Sequence, residues 1–454
     1  MCAVKNTVDP WVARRLGLVR TQSIASEIRL NNCLSNDDNL ILQRDEHFYA
    51  QLDALREKQL HYAIQRSTYY AASGYHQFST VNWQDMPLIS QEILRVQHLQ
   101  MVCTSSSNID RIVTLMSSGT TGDPKRIYFT RSDQSDTIQY FKVGMDSFTT
   151  PGDKVVIWLP NSRPGSISEL LAEALKLGGK QPKCYGVMNH LSSAYKQLME
   201  ETPDVIVGIP LQILALAKYT EIVGTPIRIK SVLLSTDAIS DTVVKTLERL
   251  WHCKVYRYFG MTEMGYGGGI ECEVHNGYHL YESDFYIEII NPETGQVVPD
   301  GTWGEMVITT LRRHGMPLIR YRTGDVTRII PEKCACGSNL KRIDRIQHRV
   351  KDTIELLPGQ LLTRNELDDH LLTLPSLLDY TVQYNTNEEE KQLIMTIYYL
   401  GDTIHQDEIL EKLHQLKSIH DAVCSGQWAL EINFEEMLPS SCPSPMKRTI
   451  CTSK

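Results

Sequence analysis

The sequence predicts an α/β protein: a large N-terminal domain of helix-covered mixed and parallel sheets with a β-hairpin subdomain, followed by a small α+β C-terminal domain. Three observations carry this. Runs of β-branched residues alternate with apolar helical stretches between residues 154 and 234, the cadence of a parallel sheet covered by helices. The pattern changes to hairpins between 278 and 311. A shorter α+β pattern begins after 351, which places the boundary near Arg349–Lys351 and gives domains 1–349 and 350–454.

The elements follow in order. Residues 45–68 carry Phe48, Leu52, Leu55, Leu60 and Ala63 at helical spacing with charges between them, in a first stretch that reads helical throughout. Residues 154–159 (Lys-Val-Val-Ile-Trp-Leu) form a buried-strand run, and 166–177 an apolar helix stopped by Gly178 and Gly179. A second strand covers 204–208, a helix 211–219 and a third strand 229–234. Residues 285–290 and 305–309 flank a Pro-Glu-Thr-Gly turn, and 392–398 is a strand of the last domain.

With 454 residues, 42% of them hydrophobic, the chain is long enough for a large buried core in two or more domains. A net charge of −8 without a basic tract argues against nucleic acid or an anionic membrane as the main partner. No apolar run follows Met1, so no signal peptide is expected. The longest apolar stretch, 205–217, is interrupted by Gly208, Pro210 and Gln212 and is too short to span a bilayer. The 11 scattered cysteines, an odd number, point to reduced thiols in the cytoplasm.

The most informative segment is Ser117-Ser118-Gly119-Thr120-Thr121-Gly122-Asp123-Pro124-Lys125. Its glycines let backbone N–H groups approach a ligand, its hydroxyls donate hydrogen bonds, and Lys125 brings a point charge: the makings of a polyphosphate loop. Strand-like residues on both sides place it between two strands. Arg126 follows the lysine, so it is not a Walker loop, which needs a hydroxyl there and a helix start. A plain hairpin turn is the bland reading.

Three further segments raise the functional reading. In Tyr258-Phe259-Gly260-Met261-Thr262-Glu263 the aromatics offer a face for a nucleobase, Gly260 a close backbone approach, and Thr262 a donor to phosphate. Glu263 is a hard oxygen ligand suited to Mg2+. Tyr321-Arg322-Thr323-Gly324-Asp325 reads as a tight turn presenting a carboxylate to two ribose hydroxyls, and 345–352 as another turn crowded with charge.

The four segments, in this order, resemble the adenylate-forming superfamily of acyl- and aryl-CoA synthetases, adenylation domains and luciferases, and within it the phenylacetate–CoA ligase branch. Met86-Pro87-Leu88-Ile89-Ser90, residues 291–305 and Gly315-Met316-Pro317-Leu318-Ile319-Arg320 support that branch, and the likeness runs from about Trp83 to Lys447.

The resemblance implies ATP-dependent activation of a carboxylic acid to an acyl-adenylate, then transfer to CoA with release of AMP and pyrophosphate. It implies ATP, Mg2+ and CoA as ligands. Ser117, Ser118, Gly119, Thr120, Thr121, Gly122 and Lys125 would hold the β- and γ-phosphates, and Thr262 and Glu263 would engage phosphate and Mg2+. Asp325 would fix the ribose, with Arg349 near it; Tyr258 or Phe259 would stack on adenine, with Asp237 lining the base, although the branch often has glutamate there. Lys447 would reach the α-phosphate, carried by a mobile C-terminal domain that pivots at Lys351. Met446 and His348 stand where the family usually has glycine. A transferase loading a carrier-protein thiol or another acceptor, and a non-catalytic nucleotide-binding scaffold, are the alternatives; monomer and homodimer both stay open.

Cys334-Ala335-Cys336-Gly337 and Cys272-Glu273-Val274-His275 together make a Cys3His set with the spacing of a structural zinc site, ligands Cys272, His275, Cys334 and Cys336, with His279 as the substitute histidine. Reduced thiols with Cys272 buried are the other reading. For the acid, the resemblance places the pocket near Tyr140, Phe141, Met145, Ile209, Pro210, Met264, Gly265 and Tyr266, which would suit a flat aryl or medium apolar acid. Tyr140 and Phe141 read equally well as core residues.

Overall fold

A computed structural model describes residues 8–18, 42–79, 81–115, 124–350, 353–387, 390–401, 404–441 and 450–452. Ser117, Ser118, Gly119, Thr120, Thr121, Gly122, Lys351 and Lys447, named above, lie outside the described residues. The chain divides into two compact units. One holds Met1–Gly152, Arg163–Gln181 and Tyr258–Arg345; the other holds Asp153–Ser162, Pro182–Arg257 and Ile346–Lys454.

In the first unit, the helix Glu46–Arg66 starts where the Asp45 side chain accepts from Phe48 N at 2.9 Å. It buries Phe48, Leu52, Leu60 and Ala63, the apolar face that the spacing marks. It stops at Ser67, whose hydroxyl caps the short helix Thr68–Ala72. The strands Ile109–Leu115 and Lys125–Thr130 pair antiparallel, with Leu115 opposite Lys125 closing the ladder. The segment read as a phosphate loop therefore does join two strands. The helix Arg131–Asp146 follows at once, set by a capping box between Thr130 and Asp133.

The hairpin subdomain has three antiparallel strands, Phe285–Ile290, Gly304–Thr310 and Tyr321–Thr327. Asn291 makes the first turn by accepting from Glu293 N and Thr294 N at 2.9 and 3.0 Å. The segment Tyr321–Asp325, read as a tight turn, is part of a strand. Gly324 has φ +78, and the pairing register shifts between Glu305 and Val307, so the backbone bulges where a turn was expected. A further ladder runs through Tyr258–Gly260, Gly268–Glu271, Tyr278–Leu280 and Arg342–Ile343, with Ile270 opposite His279 and His279 opposite Arg342.

In the second unit, Lys154–Trp158, Val205–Gly208 and Ser231–Leu234 pair in parallel, as the cadence predicts. Their partner Lys254–Gly260 enters with Ser231 opposite Lys254. The helix Pro210–Ile222 starts with proline at its first turn and is buried on nearly every face. Residues beyond Ile346 form a four-stranded sheet in the order Ala429–Glu436, Glu390–Tyr399, Leu377–Asn387, Ile450–Thr452.

One seam, at Arg345/Ile346, falls close to the boundary read from sequence. The C-terminal part nevertheless shares its compact unit with 153–162 and 182–257. A single apolar cluster explains this, running from Val156, Ile213 and Leu216 through Leu367, Leu377 and Met395 to Ile450. Lys218, 2% exposed on the helix Pro210–Ile222, adds a polar tie: its ammonium donates to the carbonyls of Leu372, Leu374 and Leu377 at 3.1, 2.7 and 2.7 Å.

Candidate active site

Lys125 opens the strand that follows the glycine-rich segment, and Glu263 lies in the single 3-10 turn Thr262–Met264 at the end of Lys254–Gly260. The two meet although 138 positions separate them: the Lys125 ammonium pairs with Glu263 Oε1. Tyr321 completes a triangle. Its hydroxyl accepts from Lys125 Nζ at 3.3 Å and donates to Glu263 Oε1 at 3.2 Å, and its ring centroid lies 5.8 Å from Nζ. The Glu263 side chain is only 3% exposed against 20% for Lys125, so the cation is the member that reaches solvent.

The strand of Tyr321 is anchored at its entry. Ile89 N donates to Arg320 O at 3.0 Å and Arg322 N to Ile89 O at 2.9 Å. The Arg320 guanidinium, buried at φ +53, reaches Glu288 at 3.2 Å and the carbonyls of Gln84 and Met86, both at 2.6 Å. Asp325, four residues beyond Tyr321, is buried and donates its own N–H to Thr323 Oγ1 at 3.1 Å.

Other residues marked in the sequence have contacts of their own. Tyr258 packs its ring 5.8 Å from Phe141, and Phe259 lies 5.9 Å from Tyr278; both are buried. Gly260 is a glycine because the Tyr266 carbonyl crowds the place of a Cβ, so the close approach there is made by the chain itself. Thr262 is half-buried in the turn of Glu263. In the second unit, Asp237 accepts from Ala238 N at 2.9 Å and from Arg364 Nη2 at 2.8 Å, and Arg349 lies half-buried in the short strand His348–Arg349. Tyr140, Phe141 and Met145 are core residues. Tyr140 stacks on Tyr281 at 5.5 Å and donates to Asp284 at 3.3 Å. Of the first-unit acyl-pocket candidates, Tyr266 is the half-buried one, stacked 6.4 Å from Phe129.

A second polar cluster sits on the antiparallel ladder of the first unit. The ligand atoms of Cys272, His279, Cys334 and Cys336 all lie within 4.8 Å of one another. Cys272 Sγ is 3.6 Å from Cys334 Sγ, and Cys336 Sγ is 3.4 Å from His279 Nε2. The histidine of the set is thus His279 and not His275. His275 sits in a turn at φ +52, and its Nδ1 lies 3.3 Å from Glu271 Oε2. His279 arrives through strand register, one residue on from the pair Glu271 and Tyr278.

A zinc ion fits this set. Tetrahedral zinc with sulfur at about 2.3 Å and nitrogen at about 2.0 Å requires S–S and S–N separations of about 3.8 and 3.5 Å. A hydrogen bond from Cys336 and the nearby His279 draw the Cys272 thiol down to about 3. Burial opposes charge on His279, yet Cys272 and Cys334 raise it to about 9. Cys334 is likewise drawn toward thiolate while Cys336 is pushed the other way, so a metal entering this set would have to displace the protons held by Cys336 and His279.

The AMP-binding enzyme family profile matches residues 44–311, well over half of the chain. The chain belongs to the AMP-binding enzyme family. It is 29% identical to the phenylacetate-coenzyme A ligase of Pseudomonas putida over 217 residues, covering 46% of this chain and 48% of that one. It is 26% identical to the Thermus thermophilus enzyme of the same name over 325 residues, 68% of this chain and 72% of that one. The matched region therefore spans about half the length of the first relative. A crystal structure of 2-hydroxyisobutyryl-CoA ligase in the postadenylation state superposes with a TM-score of 0.71 at 17% identity, covering 89% of this chain and 88% of that chain, which establishes the shared fold.

Within this AMP-binding enzyme the triangle can exchange partners. Lys125 is a donor able to turn to an anion, and the Glu263 carboxylate, still bonded to Tyr321, is of the oxygen chemistry that a hard cation takes. The hydroxyl of Tyr321 had no role in the sequence reading. Its only signal was its place beside the Arg-Thr-Gly-Asp run, and nothing local shows that it reaches Lys125. Among the described residues, no helix is long and apolar enough to cross a membrane.

Proposed function

We propose that the protein activates a carboxylic acid with ATP and passes the acyl group to CoA. In the first step a carboxylate oxygen bonds to the α-phosphorus and the bond to the β-phosphate oxygen breaks, releasing pyrophosphate. In the second, the CoA sulfur bonds to the acyl carbon, the bond to AMP breaks, and AMP leaves. The single observation that carries this reading is the Lys125–Glu263–Tyr321 triangle at the end of the glycine-rich segment, in a chain of this family.

Both steps move charge between oxyanions, so the residues work by placement and electrostatics. Lys125 and residues 117–122 bind the β- and γ-phosphates, Thr262 donates to phosphate, and Asp325 and Arg349 take the ribose. Tyr258 or Phe259 faces adenine beside Asp237. Glu263 is the hard oxygen ligand that fits Mg2+, which when bound neutralises phosphate charge. Lys447 neutralises charge at the α-phosphate, and Lys351 is the pivot between the two steps. The resemblance to phenylacetate-CoA ligases favours an aryl or medium apolar acid. The Cys272, His279, Cys334 and Cys336 set binds structural zinc, because four protein ligands leave no open position. The free thiols among the described residues suit a reducing, cytoplasmic setting.

The test is pyrophosphate release with a panel of aryl and aliphatic acids, with and without CoA. Acid-dependent release with AMP and acyl-CoA as products supports the reading. Release with a carrier protein but never with free CoA would replace the acceptor, and no release with any acid would overturn it.

A further inference from the structure

The helix Arg131–Asp146 does more than follow the Lys125 strand. In a capping box the acid at the third position usually serves the N-cap N–H alone. Here Asp133 is 1% exposed, and its carboxylate accepts from three backbone groups: Thr130 N at 2.8 Å, His314 N at 2.8 Å and Gly315 N at 2.9 Å. Two of these belong to the segment leading into the Tyr321 strand. Gly315 is pressed so close that a Cβ would lie 2.6 Å from Tyr128 O and 3.0 Å from Asp133 Oδ2. One turn later, the buried Thr137 hydroxyl donates to Gly265 O at 2.7 Å, nearer than its own helix carbonyl at Asp133 O, 3.3 Å away. Gly265 closes the turn of Glu263, its N–H donating to Thr262 O at 2.9 Å.

Positions 133 and 137 share one helix face. Three separate parts of the triangle thus hang on adjacent turns of one helix: the strand of Lys125 through Thr130, the turn of Glu263 through Gly265, and the approach to Tyr321 through His314 and Gly315. We infer that Asp133 and Thr137 are positioning residues that set the spacing of Lys125, Glu263 and Tyr321 for nucleotide binding and acid activation. The inference rests on the proposed function. Misplacing reacting groups by about 1 Å costs about 100-fold in rate, so loss of one such tether has a kinetic effect out of proportion to its effect on folding.

The experiment compares Thr137→Val, nearly isosteric but without the donor, with Thr137→Ser, which keeps it, and with Ser135→Ala as an exposed control on the same helix. ATP affinity, kcat and KM for acid-dependent pyrophosphate release, and Tm are measured for each. The expected result is a drop of about ten-fold in kcat/KM for ATP and weaker ATP binding in Thr137→Val. Thr137→Ser returns to within about two-fold of wild type, and Tm changes little across the series. Asp133→Asn, which turns an acceptor into a donor facing N–H groups, should lose more. Wild-type kinetics in Thr137→Val, or losses that track Tm with no rescue by serine, would overturn the positioning role. Wild-type ATP binding without release on any acid would defeat the proposed function alone, since the tether is still read from the ATP affinities of the valine and serine variants. A wild-type protein that does not bind ATP would defeat both.

Discussion

The first unit holds two buried polar clusters that contrast in design. The Lys125–Glu263–Tyr321 triangle joins groups of opposite charge from distant segments, with one member open to solvent. The Cys272, His279, Cys334 and Cys336 set gathers four side chains able to hold a metal in one knot. A closed set of ligands has a single partner to hold and gains by never letting go. In the proposed function the ion pair, whose lysine is part-exposed, trades each partner for another: phosphate for the ammonium, a cation for the carboxylate.

The sharpest way to break this contrast is to disable the exchanging pair. Glu263→Gln should lower acid-dependent pyrophosphate release by about 100-fold or more while Tm moves by only a few degrees, because the loss falls on transition-state charge. A large fall in Tm with a small kinetic effect would make the pair structural. Next comes the closed set: Cys334→Ala or chelation should strip about one equivalent of zinc, measured by metal analysis, and lower Tm by about 10 °C or more. Full zinc content with unchanged Tm in Cys334→Ala would remove the metal reading. A smaller effect is expected at the third corner of the triangle. Tyr321→Phe deletes the hydroxyl's hydrogen bonds to Lys125 and Glu263, both long at 3.3 and 3.2 Å, so kcat/KM for ATP should fall roughly ten-fold with zinc unaffected. The last comparison separates two histidines: His279→Ala should lose zinc as Cys334→Ala does, and His275→Ala, with the smallest effect of all, should keep it. Zinc loss in His275→Ala alone would reverse the assignment.

What could be read in the sequence depended on whether the signal was local. The alternation of 154–234 and the hairpins at 285–309 follow from side-chain period, and the structure has them. The glycine-rich segment between two strands was legible because its neighbours are β-branched on both sides. His279 was harder. Cys272 and His275 look like a ligand pair because they are close in sequence, whereas the ladder pairing Ile270 with His279 brings the more distant histidine in. The bulge at Gly324 hid a strand behind turn-like composition. Tyr140 and Phe141 allowed two readings by pattern alone, and both are buried, Tyr140 stacked on Tyr281 and Phe141 tilted against Tyr258. The division into units was the least legible feature, since it depends on apolar contacts between 182–257 and 346–454 that no local window contains.

The ammonium of Lys218, sunk among three carbonyl oxygens at Leu372, Leu374 and Leu377, bears on how a swinging C-terminal part would travel. Drawing that part away would pull the cation from its cradle and leave three acceptors facing outward until water reaches them, a toll collected at the start of the journey and refunded only later. The three bonds add a polar tie to the apolar cluster that already holds the C-terminal part in its unit, so any such swing would have to break both. Lys218→Met should remove that polar tie while leaving the apolar cluster in place.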